Sequence, residues 1–206
     1  MGQLEEMGYL THPHTSAGRI PTDQGYRYYV DHGLKEEAPS EDVLSRMGHA
    51  LTQAAQAAET FAEDASRILS QLTEEASLIV VSDSRRGHFR LFFQGYSRML
   101  EKPEFQDINC LRPILKIVEE KGGLAEWLMS RTSENGVSVT IGRENEPQAF
   151  RNCALVATRY SSDGKIAGAV AVLGPQRMKY SKTLPLVNQM AKIMRTVLNQ
   201  DSYDSR

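Results

Sequence analysis

The chain has 206 residues, 40% hydrophobic and 24% charged, with a formal net charge of −2; it can build one sizeable core plus a small appendage, which excludes the disordered and collagen-like classes. Its longest apolar run, Ile166 to Leu173, is far short of a membrane span, and the first residues lack the basic-then-apolar order of a signal peptide, so a cytoplasmic protein with no membrane partner is expected. Cys110 and Cys153 are the only cysteines and lack metal-ligand spacing, which argues against a disulfide framework or a zinc site and for two small buried hydrophobes.

Leu4 and Met7 are apolar at helical spacing, and Gly8 stands where a left-handed helix cap is expected. Tyr9 and Leu10 then begin an extended run, Ser16-Ala17-Gly18 supplies a turn, and Ile20 returns as a second strand. Pro21 suits the end of a short edge strand, and Thr22 is an N-cap with Asp23 in the first turn of a new helix. A helix end, a hairpin and a new helix are how a winged helix-turn-helix closes. In that fold the hairpin lies against phosphates and the minor groove, and the preceding helix reads the major groove. His12, His14, Thr15, Ser16 and Arg19 would offer imidazole, hydroxyl and guanidinium donors to the DNA backbone, with the amides of Ala17 and Gly18 close by. Arg19 is the strongest candidate, and its competing reading is a salt bridge to Glu5 or Glu6. Tyr26, Tyr29 and Val30 share a helical face and are read as packing residues.

Charge does not mark the wing as a DNA-binding face, because residues 1–39 carry three basic against six acidic side chains. A wing that neutralises about one to three phosphates binds weakly and loses that binding with salt. From residue 76 onward the balance reverses, with nineteen basic against thirteen acidic.

Lys35 to Pro39 reads as a linker, and Ser40 as an N-cap followed by the acids Glu41 and Asp42. Leu44, Met47, Leu51, Ala54, Ala58, Phe61, Ala65, Ile68 and Leu72 then alternate steps of three and four, predicting one helix with a heptad seam of about 43 Å. That seam packs on the chain's own sheet, or on a second copy, or on another partner. Ser77 to Ser82 and His88 to Phe93 read as strands, and Leu111, Ile114, Leu115 and Val118 as the inner face of a helix broken by Gly122-Gly123. Leu124 to Met129 is a short helix, and Val137 to Ile141, Ala154 to Tyr160 and Ile166 to Leu173 are strands, the last two joined by a Ser162-Asp163-Gly164 hairpin. Val187, Met190, Met194 and Val197 line a closing helix. The fold class is therefore α+β, in three parts: 1–34, the end of a winged-helix domain; 35–75, a linker and long helix; and 76–206, an antiparallel sheet flanked by helices that resembles a GAF-type sensory domain.

Nothing points to catalysis or a cofactor. His12 and His14 lack a third metal ligand, Gly164 to Gly174 lacks the strand-to-helix context of a nucleotide fingerprint, and no nucleophile, base and orienting acid stand in a recognisable pattern. Gly174-Pro175-Gln176-Arg177-Met178 is read as the end of a strand, with Arg177 in a structural ion pair.

Six blocks of residues carry a more specific resemblance. Leu4-Glu5-Glu6-x-Gly8-Tyr9-Leu10, Pro13 through Asp23, and Gly25-Tyr26-Arg27-x-Tyr29-Val30-Asp31 closely resemble the signature of the bacterial heat-inducible transcription repressor family HrcA. Leu100-Glu101-x-Pro103-Glu104-Phe105, Gly136-Val137-x-Val139-x-Ile141-Gly142 and Gly174-Pro175-x-Arg177-Met178-x-Tyr180 are similar to blocks of that family's C-terminal domain. The resemblance implies a homodimeric repressor of chaperone genes that binds an inverted-repeat operator DNA and is modulated by a GroEL-type chaperonin. Two departures accompany it. The family's earlier winged-helix elements and most of its reading helix would precede Met1, and restoring upstream coding sequence is expected to supply them. The family's dimerising insertion is read as deleted, with only Asp83-Ser84-Arg85-Arg86-Gly87 between two strand-like runs in its place. The alternative reading is a sensor or interaction module of a truncated repressor that does not bind DNA specifically.

Overall fold

A computed structural model describes residues 2–12, 18–53, 58–83, 88–132, 136–162 and 165–204. The N-terminal part comprises α1 (Gly2–Glu6), β1 (Leu10–Thr11), β2 (Ile20–Pro21) and α2 (Asp23–Tyr28), which widens into a π-helical turn over Tyr29–Gly33. Two helices follow, α3 (Glu41–Gln53) and α4 (Ala58–Thr73), and then β3 (Ala76–Asp83), β4 (His88–Gln94), α5 (Tyr96–Leu100), α6 (Ile108–Glu119), α7 (Lys121–Arg131), β5 (Ser138–Ile141), β6 (Cys153–Ser162), β7 (Lys165–Pro175) and α8 (Tyr180–Asp204).

The five longer strands form one antiparallel sheet in the order β4-β3-β7-β6-β5. Alternate residues of its central strands supply two separate cores. Ile79, Val156, Tyr160, Val170 and Val172 face α4 and α8, packing against Phe61, Leu69, Val187, Met190 and Met194. Leu78, Val80, Leu155, Ala169, Ala171 and Leu173 face α6 and α7, packing against Ile114, Leu124 and Leu128. Because helices cover both faces, the strands need apolar residues at nearly every position, which is why Ile166 to Leu173 lacks polar alternation. Cys153 is fully buried in the second core, and Cys110 is partly covered.

The single long helix expected over 44–72 is not what forms. α3 and α4 fold back on each other: Val43 and Arg46, near the start of α3, share a cleft with Gln71 and Leu72, at the end of α4. Ala54 to Ala57 fall outside the described residues. Packing sets this outcome, since Met47, Phe61, Ala65 and Leu72 are buried in the first core while Leu44 faces solvent at 38% exposure. A three-alanine seam buries too little apolar area to compete with that core. The reading of the seam as packed on the chain's own sheet holds for α4.

Two smaller differences concern the opposite face. The helix break falls at Glu120, with Gly122 and Gly123 inside the first turn of α7 rather than between helices. Leu115 turns outward at 37% exposure, while Leu111 and Ile114 carry the inner face. The 35–39 linker is tied down: the Glu37 N–H donates to the Ser181 carbonyl at 2.9 Å, and the Ser181 hydroxyl donates to the Glu37 carboxylate at 2.7 Å. No helix among the described residues is long and apolar enough to cross a membrane.

Candidate DNA-contact site in the wing

The short α1 ends as its sequence demands. Gly8 takes φ of +79°, its N–H donates to the Glu5 carbonyl at 3.0 Å, and the Tyr9 N–H donates to the Leu4 carbonyl at 2.9 Å. These two bonds form a Schellman cap, which turns the chain out of the helix and into β1. β1 and β2 pair antiparallel, Leu10 with Pro21 and Thr11 with Ile20, and so close the wing. Thr22 then ties the base together: its hydroxyl donates to the Gly8 carbonyl at 2.6 Å and accepts from the Gly25 N–H at 3.1 Å. Its own N–H donates to the Tyr9 carbonyl at 3.0 Å. Helix cap, hairpin and α2 are thereby one hydrogen-bonded body.

Of the seven residues expected to face DNA, His14, Thr15, Ser16 and Ala17 lie outside the described residues. Gly18 is exposed with open space around it. His12 and Arg19 converge on one acid of α1. His12 Nε2 lies 3.0 Å from Glu5 Oε1, and Arg19 Nε donates to Glu5 Oε2 at 3.1 Å. The bond from Arg19, with the charge of His12, holds the Glu5 carboxyl below the usual carboxylate range despite some burial. The Arg19 side chain keeps about a third of its surface exposed. The competing reading of Arg19, a salt bridge to Glu5, is the one the structure shows.

The charged residues just beyond the wing do something the sequence did not announce. Arg27 Nε donates to Glu144 Oε1 at 2.9 Å, and Arg27 Nη2 pairs with Glu144 Oε2 and donates to the Val139 carbonyl of β5 at 2.6 Å. Its remaining nitrogen donates to Asp31 at 3.3 Å, and these bonds, Glu144 first, raise the Arg27 pKa. One turn earlier, the Asp23 carboxylate accepts the Arg143 N–H at 2.9 Å. Tyr26 and Val30 pack against the first core, as a shared packing face requires, while Tyr29 remains 43% exposed. Arg27, Val139 and Gly142 stand in motif blocks, but Glu144 does not, so the pairing itself carried no sequence signal.

A second charged cluster joins the remaining blocks. Arg177 forms a two-pronged pair with Glu104, one prong at 3.2 Å, and Lys102 donates to the buried Glu75 at 3.1 Å. Burial pushes the Glu75 carboxyl above the ordinary range, partly offset by Lys102, and its Oε2 has no hydrogen-bond partner among the described residues. Burial also acts to raise Glu104, but the bonds from Arg177 prevail and its pKa is lowered. Among the described residues, no group of three or more His, Cys, Asp or Glu side chains is placed to hold a metal ion.

Comparison with known proteins bears on the whole chain. Residues 41–184 match the family model for the HrcA protein C-terminal domain. The heat-inducible transcription repressor HrcA of Shouchella clausii is 26% identical, over 93% of this chain and 84% of that protein; the HrcA of Pelotomaculum thermopropionicum is 27% identical, over 97% and 85%. The first alignment runs over 287 positions, so a 206-residue chain has no residue at 81 or more of them. Among solved structures, one described only as a hypothetical protein superimposes with a TM-score of 0.70 at 17% identity, covering 97% of this chain and 85% of that one. The GAF domain of an Acinetobacter phosphoenolpyruvate-protein phosphotransferase gives a TM-score of 0.55 at 12% identity, covering 80% of this chain and 95% of that domain. The sheet and its flanking helices therefore have a GAF-like fold.

Proposed function

Since the chain belongs to the HrcA family of heat-inducible transcription repressors, we propose that its 206 residues are the regulatory body of such a repressor together with its wing, holding DNA by the backbone without reading its sequence. The DNA concerned is the inverted-repeat operator of chaperone genes, occupied by a homodimer and modulated by a GroEL-type chaperonin, all three by family resemblance. One observation carries the reading. The Glu5 carboxylate, at the end of the helix that leads into the wing, occupies both His12 and Arg19.

The physical argument concerns what a base-reading surface needs. Side chains must project from a helix into the major groove, where a bidentate contact contributes about 1–3 kcal/mol of discrimination per base. Glu5 and Glu6, at the end of that helix, repel phosphate, and Glu5 already engages the two wing cations. The wing contributes one or two cations, which supports sequence-independent contact.

Fluorescence anisotropy with an inverted-repeat operator duplex and a scrambled duplex, over a salt series, tests this. Equal and weak binding to both duplexes, falling with salt at a log–log slope of about −1 to −2, is the expected result. Operator preference that persists at about 150 mM salt would instead mean that these residues suffice for repression.

A further inference from the structure

We propose that Arg27 is the positioning residue of the wing, fixing its direction relative to the regulatory domain through β5 and the turn after it. This rests on the wing being the DNA-contact element. The argument begins with connectivity. Thr22 bonds the start of α2 to both Gly8 and Tyr9, so the wing, the α1 cap and α2 turn together as one body. Whatever sets the axis of α2 sets the direction of the wing.

Two anchors four residues apart set that axis. The first is Asp23, whose carboxylate takes the Arg143 N–H and lies against Gly142, where an added Cβ would come within 2.2 Å of it. Gly142 also has φ of +58°, so both the backbone conformation and the docked carboxylate require a residue without a side chain. The second is Arg27. Its planar fork meets both oxygens of Glu144, a sheet-edge carbonyl and Asp31 at once. A guanidinium held at three of its nitrogens cannot rotate about its stem, which an ammonium could do. Glu144 is fixed in turn, because its Oε2 accepts the Ile141 N–H at 2.8 Å. The apolar contacts of Tyr26, Val30 and Leu34 hold the body near the domain; the directional bonds decide its angle.

The angle matters for a repressor because two wings on one inverted repeat must meet phosphates at a fixed spacing. Arg27 and Glu144 are engaged with each other and with the edge of β5, and neither is among the candidate DNA-contact residues. Their effect on DNA is through orientation alone.

The test is the distance distribution between spin labels at Ile20→Cys in the wing and Lys192→Cys on α8, in a Cys110→Ser background. The remaining thiol, Cys153, is buried, with its pKa pushed up to about 12, and does not label. The parent protein should give a narrow distribution. Arg27→Met should broaden it roughly twofold, as relative domain motion returns when a fixing contact is lost. Arg27→Lys should restore the narrow form only in part. Glu144→Gln gives the same reading with less risk to folding, and Trp127 fluorescence reports an intact sheet domain. A distribution as narrow in Arg27→Met and Glu144→Gln as in the parent would overturn the proposal. The measurement needs no DNA, so loss of wing order with no duplex binding would reject the proposed function while leaving the positioning role in place.

Discussion

The N-terminal module and the sheet domain are held together by different physics. None of α1, β1, β2 or α2 contains a fully buried side chain; their order comes from a Schellman cap, the Thr22 bonds and charged pairs. The sheet domain rests on two apolar cores, with Phe61, Ile79, Val172 and Met190 wholly inaccessible. Burial stabilises without direction, whereas hydrogen bonds to charged groups fix angles and weaken with salt. The domain is therefore the part that stays folded, and the module is the part whose placement can be altered without unfolding it.

The largest effect should come from the core. Phe61→Ala removes a fully buried ring between α4 and the sheet and should cost about 3–5 kcal/mol, read as a lower denaturation midpoint at unchanged slope. A loss under about 1 kcal/mol would mean that the first core is not what holds the sheet domain. Gly142→Ala is next. The strain of an alanine at φ of +58° beside Asp23 is about 1–3 kcal/mol, and undocking the module relieves part of it. Hydrogen exchange should quicken across residues 23–33 while β6 and β7 keep their protection. Equal loss in both places would erase the distinction between a movable module and a fixed domain.

Glu75 is the polar exception inside the domain, and pH exposes it. Its folded pKa is raised by burial, so the folded state binds more protons than the unfolded chain just above the ordinary carboxylate range. The stability it contributes is complete below its unfolded pKa and is lost as pH rises through the folded one. Glu75→Gln should flatten that decline, whereas Lys102→Met should deepen it by removing a cation bonded to Glu75. Thermal melts from pH 4 to 8 give both signs.

How much of this was legible in the sequence depends on how local the cause is. The Gly8 cap, the Leu10 and Ile20 strands, the Thr22 N-cap and the Met190–Met194 face all follow from residues within a turn or two of one another, and all were expected there. The α3–α4 hairpin was not legible, because its heptad spacing suits a continuous helix equally well and only the position of the sheet decides between them. Arg27 was hidden for a related reason: its Glu144 partner is 117 residues away, and no spacing rule reaches that far. Within the candidate site, the Glu5 pairing was foreseen as the competing reading of Arg19, while its capture of His12 as well was not.

The smallest stability effect and the most direct functional one belong to Glu5. It is half-buried and lies outside both cores, and near-surface ion pairs contribute little, so Glu5→Gln should lower the melting temperature only slightly. What changes is the charge presented to a duplex: one acid disappears beside His12 and Arg19, and both are released from a partner that competes with phosphate. The plot of log binding constant against log salt should steepen by about one unit, the equivalent of one further phosphate contact. Operator and scrambled duplexes should gain alike, because a phosphate contact carries no sequence information. A gain confined to the operator would place α1 in contact with bases and reverse the division of labour proposed here. An unchanged slope would mean that the wing cations never leave Glu5, and the contact surface would then have to lie among the basic residues beyond position 76.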